Sequence, residues 1–264
     1  MRIYFSLMKM YLKSTLEYRM AFFFGAFANI IRKVAEYLSI WILLSSFNVV
    51  GGWKFYDVLM LYNINQFAIS FSGMIFWSPM LQLESLVHNG NLDTLMTKPI
   101  GLFSHLLCRT FDLSFLANLS LSIVIFIYYF ITSDIVWSPL KIFMFIIIII
   151  AAILIYSSMH IFIGSLSFWV TKIGSVFLTI MNLRKFVFYP ITIYNEIIKV
   201  ILTYVFPIAF VNYYPMLYLL DKSDEAKLPL LVYPLLSLGI GIIMFVLSYM
   251  VFNIGSKRYV STGN

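Results

Sequence analysis

Between Lys141 and Lys172 the sequence has no Asp, Glu, Lys or Arg, and it opens with KIFMFIIIIIAAILIY over 141–156. This run narrows the fold more than any other feature. Backbone polar groups in hydrocarbon must be satisfied within the chain, which leaves only helices and closed barrels. A barrel strand alternates apolar and polar residues over about ten positions, whereas this run does not alternate. The composition agrees: 62% of residues are hydrophobic and 11% charged, against roughly 25% charged in an average soluble domain. Mean hydropathy is +0.93. The fold class read from these features is an all-α integral membrane protein.

A membrane-crossing helix needs about 20 apolar residues. Six stretches meet that need, at about 21–46, 57–78, 110–133, 140–168, 173–190 and 230–253. Residues 1–19 differ: Arg2, Ser6, Lys9, Lys13 and Glu17 recur at helical spacing and form a narrow polar stripe. That pattern predicts an amphipathic helix lying in the membrane surface, its basic residues facing anionic lipid. With the N-terminus inside, the short cytoplasmic segments carry nine Lys and Arg and the short outer loops only Lys54 and Lys141. The excess predicts both termini in the cytoplasm, and the five basic residues of the long region 184–228 are left out of that count. The net charge of +7 is then explained by cytoplasmic flanks rather than nucleic acid. No secretory signal peptide is evident, and the single cysteine, Cys108, has no internal disulfide partner.

Three places carry polar residues that need explaining. The segment MLQLESLVHNGNLDTLMTKPIGLFSH, 80–105, separates the second and third predicted spans. Leu81, Leu83, Leu86 and Val87 fit a short surface helix stopped at Asn89-Gly90. Leu92, Leu95 and Met96 then fall on one helical face, ended by Pro99. On residue chemistry alone this is an ordinary connecting loop or a tethered amphipathic helix. Inside the first span stand Asn29, Arg32, Lys33 and Glu36. Charges at that depth normally face a partner helix or water. Either they line a pathway or subunit interface, with Arg32 and Glu36 pairing at i, i+4, or the surface helix continues to about residue 33 and the span begins there. The region 184–228 is too apolar for a simple loop and is interrupted by Pro190, Pro207 and Pro215. It predicts either a re-entrant outer hairpin over 189–228 or one extra proline-kinked span at 191–220.

Catalytic signatures are absent from the sequence. His88, His105 and His160 are scattered, with His160 read as a packing residue of the fourth span. No paired Cys/His spacing suggests a metal site, and neither a phosphate-cradling glycine loop nor a nucleophile elbow occurs.

GNLDTLMTKPIGLF (90–103) resembles a pattern of the ABC-2 type permeases, the membrane subunits of ABC exporters. SFWVTK (167–172), YPITIY (189–194), PIAFVNYYP (207–215), GSKRYVSTGN (255–264) and LEYRMAFF (16–23) are similar to one branch of unassigned substrate and span nearly the whole chain in order. The resemblance implies a single transmembrane domain, 1–264, in a bacterial cytoplasmic membrane. It implies that 80–105 is a cytoplasmic coupling segment, with Asn91, Leu92, Asp93, Leu95, Lys98 and Pro99 meeting an ATPase dimer. ATP and Mg would be held by that dimer, and this chain would bind no cofactor and catalyse nothing itself. A second permease subunit, a related partner or another copy, would complete the pathway within membrane lipid. Short re-entrant helices would close its exit, here at Tyr189, Pro190, Pro207, Tyr214 and Pro215. The implied function is outward transport of an apolar or amphipathic substrate, a drug, peptide or lipid, by alternating access. A reading from another class is a non-transporting scaffold or immunity protein that binds a peptide or a membrane partner.

Overall fold

The computed structural model describes residues 19–46, 49, 51–133, 135–170 and 172–260. The predicted surface helix over 1–19, with its stripe from Arg2 to Glu17, lies almost wholly outside them. Among the described residues the long helices are α1 (Arg19–Ser46), α2 (Phe55–His88), α5 (Phe115–Thr132), α6 (Pro139–Ser165) and α10 (Val232–Arg258). Short helices connect them: α3 (Leu92–Met96), α4 (Leu102–Arg109), α7 (Gly174–Leu183), α8 (Glu196–Val200) and α9 (Tyr213–Leu219).

Local chemistry sets several boundaries. Ser138 caps α6 by accepting from the Lys141 N–H at 3.2 Å, and Pro139 occupies the first helical position, where its missing N–H costs nothing. The α2 N-terminus is closed by Asp57, whose carboxylate accepts the Lys54 N–H at 3.1 Å. Its C-terminus is at Asn89-Gly90, where Gly90 takes a φ of 68° that a side chain disfavours. Lys257 and Arg258 stand in the last turn of α10, matched to the negative end of its dipole.

The packing centre is α2, which lies against α5 and α6, while α6 pairs along its length with α10. Close approach of α2 and α6 depends on Gly164: a Cβ there would fall 2.6 Å from the Met80 Cβ. Met80 and Leu83, just past Pro79, are fully buried.

Among the described residues four helices, α2, α5, α6 (with the 3-10 turn that follows it) and α10, are long and apolar enough to cross a membrane, and a fifth arises if a bent pair counts as one span. The six predicted spans are corrected in three respects. The second span and the surface helix expected at 81–87 are one 34-residue helix, α2, about 50 Å long. Pro79 removes one hydrogen bond, yet packing on Gly164 carries the helix through it. The third span begins only at Phe115, because α4 is a separate helix. The fifth, expected at 173–190, is the ten-residue α7 followed by a 3-10 turn at Arg184–Val187, and α7 rises only about 15 Å. The region around 191–220, read as a re-entrant hairpin or a proline-kinked span, is a bent pair, 196–205 and 208–219, breaking by 76°, which either reading would give. Pro207 explains the break: it disfavours helix at Phe206, which sits at φ −119°, ψ 89°.

α1 is continuous through the charges that the sequence places in the first span. Its 28 residues suffice in length, but Arg32, Lys33 and Glu36 set it apart from the four apolar helices.

Candidate functional site

At one end of α2 the chain turns through Gly90 into α3. Leu92 and Leu95 of α3 are buried, and they pin the short helix to the bundle. The opposite face is open: Asn91, Thr94, Met96, Thr97, Lys98 and Pro99 are exposed. Asp93, half-buried, lies beside Tyr259 just past α10. Burial of the Tyr259 phenol, and then the charge and hydrogen bonding of Asp93, push its pKa up. α4 completes the foot, with the Phe103 ring 5.0 Å from both Tyr249 and Phe252 of α10. Leu95 and Met96, expected on one face, therefore part company, since Met96 is 45% exposed. Of the six residues expected to meet a partner, Asn91, Lys98 and Pro99 face outward, while Leu92, Asp93 and Leu95 turn toward this chain.

Two ties fix this foot to the rest of the molecule. The Glu84 carboxylate, on the last turns of α2, accepts from the N–H groups of Ile173 and Gly174 at 3.0 and 2.8 Å. It thus satisfies unpaired donors at the start of α7 and complements its dipole. Asp112, in the break between α4 and α5, accepts from the Ser78 and Ser114 hydroxyls. The Asp112 N–H reaches the Met74 carbonyl at 3.0 Å.

About a third of the way along α2 a polar cluster joins α1, α2 and the end of α7. Lys33, 4% exposed, pairs with Glu36 at 2.7 Å. The same carboxylate accepts from the Tyr62 hydroxyl and from the Gln66 amide at 3.0 Å, and Gln66 donates in turn to Tyr62. The Arg184 guanidinium reaches the Gln66 carbonyl at 3.5 Å. The expected Arg32–Glu36 pair is replaced by Lys33–Glu36, because Arg32 points outward and donates to Asn29 at 3.0 Å. One carboxylate thus neutralises one buried ammonium and takes two neutral donors, the satisfaction that charge in a low-dielectric setting requires. A second link runs from Tyr37 to Asn63 at 2.7 Å and on to the Ser122 carbonyl at 3.0 Å, tying α1 to α2 and α5. His160 is wholly buried between the rings of Trp77 and Phe177, at 5.7 and 5.9 Å.

At the far end of α2 the bent region is clamped down. Trp53, fully buried, donates its indole N–H to Glu225 at 3.1 Å. Tyr213 donates to the same carboxylate at 2.9 Å. Lys222 lies over the Trp53 ring at 4.7 Å, a cation–π contact. Asn212 donates to the Leu61 carbonyl at 3.0 Å. The residues expected to form a gate are dispersed here: Pro190 and Pro215 are buried, and Tyr189, Pro207 and Tyr214 half-buried. Tyr214 hydrogen-bonds Thr203 at 3.1 Å and stacks on Tyr233 at 5.7 Å.

Sequence reasoning did not reach Tyr62, Gln66, Glu84, Asp112, Arg184 or the Trp53–Glu225 clamp. Glu84 and Asp112 carried a signal, each being an isolated acid in an apolar neighbourhood. The partners of Gln66 carried none, since Glu36 and Arg184 are 30 and 118 positions away.

A family model described as ABC-2 family transporter protein matches residues 30–263. No protein of curated function and no solved structure matches the chain. Membership implies association with an ABC ATPase, and it accords with a multi-pass bundle bearing an exposed polar foot. The match takes in every described helix but the start of α1, and the chain belongs to the ABC-2 transporter family.

Proposed function

We propose that this chain is the permease subunit of an ATP-driven exporter in a bacterial cytoplasmic membrane, with both termini inside. A separate ATPase dimer, holding ATP and Mg, works it from below by gripping the foot after α2. A second permease subunit, a relative or another copy, supplies the other half of the pathway. The cargo is an apolar or amphipathic molecule moved outward by alternating access.

One observation carries this reading. α2 is a single rod of about 50 Å with an exposed polar foot at one end, the Trp53–Glu225 clamp at the other and the Glu36–Gln66 cluster about a third of the way from the clamp. Packed elements move as units rather than deforming continuously. A push on the foot therefore tilts α2, and Glu84 passes the motion to α7. The grip falls on Asn91, Thr94, Met96, Lys98 and Pro99, while Leu92, Asp93 and Leu95 hold the foot in shape.

Co-purification tests the reading. The tagged chain, expressed in its own host, is expected to bring down an ABC ATPase. Introducing Thr94→Arg with Met96→Arg places two charges on the gripped face and leaves the buried face intact. Recovery of ATPase should fall at least about tenfold, or 1.4 kcal/mol, with the yield of the membrane chain unchanged. Undiminished recovery would refute the grip.

A further inference from the structure

Among the described residues five basic side chains are buried or half-buried: Lys33, Lys141, Arg184, Lys199 and Lys222. Four of them hold a carboxylate at 2.6 to 3.6 Å. Arg184 has no carboxylate at ion-pair distance among the described residues. Its guanidinium carries five N–H donors. Its contacts are the neutral Gln66 carbonyl at 3.5 Å, beyond the usual range of a hydrogen bond, and the Phe188 ring at 6.0 Å.

Gln66 holds the tip of Arg184 about 17 Å along α2 from Phe55 and about 33 Å from His88, which is the depth of hydrocarbon. Nearby groups do not offset the charge. Arg184 lies within electrostatic reach of Lys33 and Glu36, but Glu36 already takes Lys33, Tyr62 and Gln66. The Gln66 amide stands between Glu36 and Arg184. Two cations and one anion leave one positive charge over, which costs a few kcal/mol at that depth. Hydrogen bonding is lopsided in the same sense. Asn65, beside Gln66 and wholly buried, accepts from Tyr156, and its amide N–H groups have no partner among the described residues. Donors are in surplus, and an acceptor relieves them.

The guanidinium is also within reach. α1 packs on α2 and α5, and the 3-10 turn at Arg184–Val187 packs on α2 and on the 3-10 turn at Ile208–Phe210. The two flank the same stretch of α2. Between them the Tyr62 ring meets Tyr37 of α1 edge-on at 4.7 Å and Phe188 at 4.8 Å. Arg184 is half-buried and Phe186 is 38% exposed, so the approach to the charge is aromatic and apolar. A guanidinium fork matches two oxygens of a carboxylate or phosphate. A bare anion does not enter hydrocarbon, so the oxyanion arrives on an apolar body.

We propose that Arg184 binds the head of an acidic amphiphile, a carboxylate or phosphate on an apolar chain, in the gap between α1 and the turn after α7. The oxyanion meets the guanidinium, Lys33 adds attraction from the α1 side, and the chain lies past Phe186 into the bilayer. Binding needs no ATPase, so the site stands or falls separately from the exporter reading.

The test uses the full chain in phosphatidylcholine vesicles. Two probes, hexadecyl phosphate and hexadecanol, each carry a diazirine beside the head, and adducts are mapped by mass spectrometry after irradiation. At Tyr37, Phe186 and Phe188 the phosphate probe should exceed the alcohol by about fivefold, or about 1 kcal/mol. At exposed Ile123 and Ile146 of α5 and α6 the two should label alike. Arg184→Gln should abolish the excess. Arg184→Lys should keep part of it, since the charge stays and the fork is lost, which separates lost charge from lost fold. Lys185→Gln, at the exposed neighbour, should leave it whole. Added phosphatidylglycerol distinguishes the sources: displacement of the probe identifies a membrane lipid as the amphiphile, and retention a guest molecule. Four results would overturn the proposal. They are equal labelling by the two probes, an equal loss in Lys185→Gln, displacement by inorganic phosphate, and a smaller share of dimer in the native mass spectrum of Arg184→Gln with no head-group preference in the parent. The last would mean that the guanidinium meets a carboxylate of a second subunit.

Discussion

Helices α2 and α10 are both long enough to cross a membrane, but their surroundings are opposite. In α2, 78% of the apolar stretch is buried within the protein; in α10 the share is 22%. The buried helix is nevertheless the more polar. It carries Asn63, Asn65 and Gln66 in its first third, and Asp57 and Glu84 toward its ends. The stretch of α10 from Val232 to Val251 has no charged residue. A water-soluble protein would reverse this order. Lipid tails are as apolar as Leu, so burying Leu against protein gains little over leaving it in the bilayer. A polar group in hydrocarbon costs several kcal/mol, so it is the amides, the tyrosines and the Glu36–Lys33 pair that are drawn inward. The inside of this protein is read from its polar residues.

Three substitutions press on that contrast. Removing Glu36 should have the largest effect. Glu36→Leu strands the Lys33 ammonium, 4% exposed, and withdraws the acceptor of Tyr62 and Gln66. A loss of about 3 kcal/mol is expected, as for other broken buried pairs, seen as a lower midpoint of unfolding in detergent. A midpoint close to that of the parent chain would mean that water, and not protein, satisfies the cluster. Next comes Ile64→Ala on α2, where the side chain is fully buried. The cavity left behind should cost about 2 kcal/mol. The matched change on α10, Ile242→Ala, removes a side chain that is 48% exposed. It should cost less than about 0.5 kcal/mol. Equal losses at the two positions would show that α10 is covered in solution, by a second permease subunit or another copy.

The same contrast separates what could be read early from what could not. The long apolar runs announced helices without ambiguity, and four of them stand as candidate spans. Asn89-Gly90 and Pro207 announced a stop and a break, and both occur where they were expected. The surface helix expected at 81–87 proved to be the continuation of α2 through Pro79, where Met80 is held against α6 at Gly164. The short α7 was misread for the opposite reason. Its sequence is apolar enough to suggest a span, but Arg184 leaves the helix to reach Gln66, and the backbone tightens into a 3-10 turn there. The foot was located from its residues, yet which of them face outward was not. At i, i+3 and i+4, Leu92, Leu95 and Met96 were equal candidates for one face, and only the docking of α3 on the bundle buries two and leaves the third out.

By itself, the sequence determined the class of the protein, the number of long helices to within one or two, and the place of the polar foot. These follow from quantities local to the chain: the length of an apolar run, a glycine at positive φ, a proline without an N–H. Tertiary structure alone decided the partners. Lys33 and not Arg32 takes Glu36 because the packing of α1 turns Lys33 inward; that Gln66 and Arg184 join them, and that Trp53 holds Glu225, are pairings between residues tens to more than a hundred positions apart. A buried polar group accepts any neighbour with complementary hydrogen-bonding capacity, and which neighbour arrives is set by how the helices pack.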